Sequence, residues 1–111
     1  MSIYHITSHS EWQRAQADGI YRADSLASQG FIHCSTREQV LPVAARFYAG
    51  QPGLVLLRID PARLAAPLVY ENLEGGQEQF PHLYGPLELQ AVEAALPFPP
   101  QPDGRFAWPQ G

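Results

Sequence analysis

The chain contains no lysine; its seven basic residues are all arginine. That removes Schiff-base chemistry from the reactions open to it. The arginines do not cluster either, running singly from Arg14 to Arg105, and the formal net charge is −4. Phosphate neutralisation normally shows as grouped Lys and Arg, so nucleic acid is not the expected partner. Cysteine occurs once, at Cys34, so no internal disulfide can form, and nothing in the cysteine usage points to an oxidising compartment. There is no long apolar run and no leader-like N-terminus, so neither a membrane span nor a signal peptide is expected. A soluble, cytoplasmic protein is the resulting expectation. Charged residues make up 16% and hydrophobic ones 45%, which excludes a disordered chain. With 111 residues the chain is long enough for one domain with a modest core.

What is present falls into short, well-punctuated segments. Residues 3–7 read as a first strand. Ser8-His9-Ser10-Glu11 has capping-box spacing, and Trp12, Ala15 and Gln16 follow at helical spacing up to Gly19. Residues 23–29 read as a short helical turn broken by Gly30, and 31–35 as a second strand. Thr36-Arg37-Glu38-Gln39 offers another capping box, opening a helix whose stripe Val40, Val43, Ala44, Phe47 runs towards Gly50. Pro42 lies inside that stripe and should kink the helix or shift its start. Residues 54–59 form a near-continuous apolar run, as for a strand buried on both faces. A strand at 68–71, a mobile loop at Glu74-Gly75-Gly76 and one or two closing strands within 87–96 complete the domain. The single globular domain is thus 1–96, and five prolines beyond Leu96 make 97–111 an extended, loosely held tail.

Chemistry concentrates in three segments. In Ile3-Tyr4-His5-Ile6-Thr7 and Gly30-Phe31-Ile32-His33-Cys34-Ser35-Thr36, a histidine precedes a hydroxyl side chain by two residues. Strand residues two apart share a face, so His5 pairs with Thr7 and His33 with Ser35. Each histidine alone could be a satisfied core residue; two in matching contexts favour a shared polar cleft. The third segment, Phe80-Pro81-His82-Leu83-Tyr84-Gly85-Pro86-Leu87, reads as a rigid loop. It would present His82 and Tyr84 on one face, suited to stacking on or bonding a planar ligand.

Other residues carry weaker signals. The four histidines lack the close spacings of zinc sites, so no metal is expected. Cys34 and His33 point to opposite faces of a strand, which disfavours a Cys–His dyad and makes Cys34 a buried small hydrophobe. Glu71 ends a strand, from which a carboxylate can project into a cleft; Glu74 and Glu78 read as solvated loop charges. Arg22 is either an anion contact or surface charge.

Together these segments, with Trp12, Gln39 and Tyr70-Glu71, closely resemble the domain-of-unknown-function 952 family from Ile3 to about Pro97. That family is similar in fold to the ADP-ribosyltransferases and RNA 2′-phosphotransferases, which bind NAD in a cleft between two curved sheets. The resemblance implies an α/β (α+β) fold of two packed, curved β-sheets with about two main helices. His5-Ile6-Thr7 is similar to the His-Gly-Thr strand whose histidine contacts an NAD ribose, with Ile6 replacing the glycine. Glu71 matches the catalytic glutamate, and His33 falls where the phosphotransferases carry a second histidine strand.

The resulting expectation is a cleft with Glu71 and His33 as catalytic residues. His5, Thr7, Ser35, His82 and Tyr84 would bind the ligand, with no metal and no permanently bound cofactor. NAD or a nucleotide-type ligand would be the substrate, with group transfer to a small acceptor. A non-catalytic module for a small metabolite or a protein is the alternative. The oligomeric state is left open.

Overall fold

The structure, a computed structural model, describes residues 1–109. Its order is β1 (Ile3–Ser8), α1 (His9–Asp18), β2 (Ile20–Tyr21), α2 (Asp24–Gln29), β3 (Ile32–His33), α3 (Arg37–Phe47), β4 (Leu54–Ile59), β5 (Leu68–Glu71), β6 (Phe80–Leu83), β7 (Leu87–Glu88) and β8 (Val92–Pro97). Short 3-10 turns occupy Pro61–Arg63 and Leu89–Ala91. The class is α+β, but with three sheets and three helices where two of each were expected. The sheets have orders β1-β4-β8, β2-β7 and β3-β6-β5. One continuous second sheet does not form, because Pro86, with no N–H to donate, lies between β6 and β7. On the facing side, α2 separates the two-residue strands β2 and β3. No helix among the described residues is long and apolar enough to cross a membrane.

β1 and β4 form the centre and bury both faces. On one face Ile3, Val55, Leu57 and Ile59 pack with Ile32, Cys34, Leu83 and Leu87 from the smaller sheets. On the other, Tyr4, Ile6, Leu54 and Leu56 meet Val40 and Ala44 of α3. This is the period-two alternation of the sequence made physical. Ser8 caps α1 by accepting the Glu11 N–H at 3.1 Å, and Gly19 ends it at φ 81°, a left-handed conformation that glycine adopts without a Cβ penalty. Gln39 Oε1 accepts the Thr36 N–H at 3.0 Å, fixing the start of α3. Pro42 sits inside α3, which ends at Phe47, short of Gly50.

Three local expectations change. The second strand shrinks to β3, and Ser35 instead pairs with Tyr4 in an isolated bridge, with N–H···O distances of 2.8 and 2.7 Å. That bridge ties the β3 segment to β1. Phe80–Leu83 is a strand rather than a loop; Pro81 is tolerated because its carbonyl, accepting from the Cys34 N–H at 3.0 Å, is what the neighbouring chain uses. Within the tail, residues 97–109 are not loosely held, and 110–111 lie outside the described residues. Phe98 is 1% exposed, its ring stacks on Phe106 at 4.8 Å, and Trp108 meets Tyr4 edge-on at 5.1 Å. The Arg37 guanidinium covers Trp108 at 4.4 Å. Aromatics between the prolines anchor this segment to the outer face of the central sheet.

Candidate functional site

Strand alternation puts His5 and Thr7 on the inner face of β1, where Tyr21 of β2 meets them. The His5 ring is 8% exposed, with Nδ1 2.5 Å from the His33 carbonyl oxygen and Nε2 2.8 Å from the Tyr21 hydroxyl. A carbonyl only accepts, so Nδ1 carries the proton and Nε2 of the neutral ring is an acceptor. The Tyr21 hydroxyl also lies 2.9 Å from Thr7 Oγ1. Burial pushes His5 down from 6.5 to about 4 and Tyr21 up to about 12, so both are uncharged at neutral pH.

The second group comes from the β3-β6-β5 sheet. His33 and His82 are cross-strand partners, their ring centroids 5.4 Å apart. His82 is 5% exposed, stacked on Phe31 at 4.1 Å, and its Nδ1–H donates to Glu71 Oε2 at 2.9 Å. The Tyr84 hydroxyl donates to the same oxygen. Those two hydrogen bonds, Tyr84 first and His82 second, hold the Glu71 carboxyl below the usual carboxylate range. His33 is exposed, with Nε2 2.6 Å from Gln29 Oε1. Burial, then the neighbouring His82, lowers its pKa.

Both groups line one cleft of about 640 Å³. The structure brings His5, Thr7, His33, Ser35, Glu71 and His82 to its wall; Tyr84 stands behind, reaching the cleft only through Glu71. Ser35 is 7% exposed and its hydroxyl makes no hydrogen bond with a described residue, yet no buried side-chain oxygen or nitrogen among the described residues is orphaned. The Ser35 Oγ therefore opens into the cleft. The α3 side contributes Gln39, Arg46 and Phe47. The lining carries five carboxylates, Glu11, Asp24, Glu71, Glu74 and Glu78, against the guanidinium of Arg46. Such a wall favours positive charge inside it.

Geometry narrows several roles. Both His5 ring nitrogens are committed internally, so His5 shapes the wall and holds Tyr21 rather than offering a free donor. Phe31 covers one face of the His82 ring, and Tyr84 is absent from the wall. The 72–79 loop is an organised turn, with Asn72 Oδ1 accepting from Glu74 and Gly76 N–H and Nδ2 donating to the Glu78 carbonyl. Glu78 is also held, 3.2 Å from Gln39 Nε2. Arg22 lies outside the cleft, beside Arg14 and Asp18.

Residues that sequence reasoning missed are Tyr21, Phe31, Gln39 as a loop anchor, and Asn72. Only Asn72, three residues before the Gly75-Gly76 pair, carried a local signal, that of an Asx turn. No group of three or more His, Cys, Asp or Glu among the described residues is arranged to hold a metal ion.

Cys34 is 2% exposed and burial pushes its thiol up to about 12. A thiol-exchange reagent should therefore label the folded protein at least a hundredfold slower than the urea-unfolded chain. Equal rates in the two states would mean the thiol is reachable and the packing described is wrong.

No curated protein matches the chain. Among solved structures, it is similar to the X-ray crystal structure of protein CC0527 from Caulobacter crescentus, at 36% identity and TM-score 0.86, covering 96% of this chain and 94% of that one. The solution NMR structure of CC0527 aligns at 37% identity and TM-score 0.82, covering 94% and 90%. The family described as "Protein of unknown function (DUF952)" matches residues 6–95, and the chain belongs to that family.

Proposed function

We propose that the cleft binds NAD or a nucleotide-type ligand and transfers a group from it to a small acceptor, on an ADP-ribosyltransferase-like scaffold. The observation that carries this reading is the setting of Glu71. One carboxylate oxygen is saturated by His82 and Tyr84, which orients the group and keeps it ionised. The other oxygen, Oε1, makes no hydrogen bond with a described residue and can hold a ribose hydroxyl. As the bond from ribose C1′ to nicotinamide breaks, positive charge develops on the ribose. An ionised, pre-oriented carboxylate in an acid-lined cleft stabilises that charge more in the transition state than in the ground state. Arg46 is the wall's guanidinium for a phosphate. Ser35 Oγ and His33 are the neutral polar groups available to hydroxyls of the ligand.

Glu71→Gln keeps the shape and removes the charge. Nicotinamide release from NAD should fall at least a hundredfold in kcat, while the NAD-induced rise in melting temperature is retained. If NAD, ADP-ribose and nucleoside phosphates all leave the melting curve unmoved, the ligand class is wrong. A second reading, a non-catalytic binding module, is favoured by Ile6: it lines the cleft where the resembled His-Gly-Thr strand has no side chain. That reading takes over if NAD binds, the wild type releases no nicotinamide and Glu71→Gln alters binding alone.

A further inference from the structure

We propose that His82 is the general base of this cleft, with Glu71 as the residue that positions it. Three features of the structure converge on His82 Nε2. Nδ1–H is spent on Glu71 Oε2 at 2.9 Å, so in the neutral ring Nε2 keeps the lone pair. The ring cannot turn away, because Phe31 stacks on it at 4.1 Å with a 19° interplanar angle and the residue is 5% exposed. Nε2 makes no hydrogen bond with a described residue, yet it is not an enclosed orphan, so its small exposure opens into the cleft that His82 lines. A carboxylate that fixes the tautomer and faces the imidazolium on protonation is the arrangement general-base catalysis requires.

The inference rests on the transfer reading above and adds the proton's route. The acceptor is water or a hydroxyl compound. Its oxygen lone pair forms the new bond to ribose C1′, while the C1′–nitrogen bond breaks and its electron pair goes to nicotinamide. The acceptor's proton passes to His82 Nε2, and the resulting imidazolium faces Glu71 until it releases the proton to solvent. The titratable groups around His82 are Glu71 of β5, Tyr84 just after β6 and His33 of β3.

Two measurements test this. Nitrogen-15 NMR of the imidazoles should show His82 protonated at Nδ1 and bare at Nε2 at high pH; the opposite tautomer overturns the proposal without any variant. With NAD as substrate, His82→Gln should lower kcat for nicotinamide release at least a hundredfold. It should also displace the acid limb of the pH–rate profile, leaving only the Glu71 carboxylate to limit the rate at low pH, while the NAD-induced melting shift persists. A kcat within threefold of wild type, or an unchanged acid limb, overturns it too. If the wild type releases no nicotinamide, the transfer reading fails by itself. The tautomer together with hydrolysis of p-nitrophenyl acetate, lost in His82→Gln, then decides for or against the base.

Discussion

Phe98→Ala should destabilise the fold by about 3–5 kcal/mol, the usual range for removing a buried phenylalanine. The side chain is 1% exposed and packs with Tyr4, Ile6, Val40, Ala44, Leu54 and Leu56. Its ring also stacks on Phe106, and its backbone N–H donates to the Leu54 carbonyl at 2.9 Å. The truncation leaves a cavity and loosens Phe106, so the transfer loss and the cavity term add. A small domain has only about 5–15 kcal/mol of stability in total, so the variant is marginal. Urea unfolding followed by tryptophan fluorescence measures the effect directly, because Trp108 belongs to the same cluster. A loss under about 1 kcal/mol would mean that the segment after β8 is not part of the core.

Acidification should weaken the protein in a defined window. His5 is held near 4 in the folded state against an ordinary value of 6.5, because burial disfavours the charged ring. Below pH 6.5 the unfolded chain takes up a proton that the folded chain refuses. Stability therefore begins to fall as the pH drops through 6.5, and this contribution is exhausted near pH 4. The difference amounts to on the order of 3 kcal/mol. His33, also lowered, acts in the same direction. Glu71 acts later, since its lowered carboxyl gives stability that is lost only as the pH falls below the ordinary value of 4.5. Urea midpoints at pH 7, 5.5 and 4 should drop steadily in the wild type. In His5→Gln the drop between pH 6.5 and 4.5 should shrink; a drop of unchanged size assigns it to other groups.

Much of the inner wall was legible locally. The two-residue spacing of His5 with Thr7, and of His33 with Ser35, is a statement about strand geometry, and both pairs reach one cleft. Glu71 at the end of β5 was legible for the same reason. The donors to Glu71 were visible only as residues, not as partners. His82 reaches it because β5 and β6 pair antiparallel with Val69 opposite His82 and Glu71 opposite Phe80. Tyr21 was illegible: a two-residue strand after Gly19 has no periodicity to read, and its link to His5 spans 16 residues of sequence.

The sequence by itself determined what depends on near neighbours along the chain. The Ser8 cap, the glycine stop at Gly19 and the doubly buried β4 all follow from local sterics and side-chain period. Tertiary structure alone decided what depends on contacts distant in sequence. Pro86 split the second sheet by withholding a donor that matters only once β6 and β7 are near other strands. The aromatics Phe98, Phe106 and Trp108 became core because the outer face of β1 and β4 left room for them, which no count of prolines could reveal. The commitment of His5 to Tyr21 and of His82 to Glu71 arose likewise, since a hydrogen bond is fixed by distance in space and the sequence records only order.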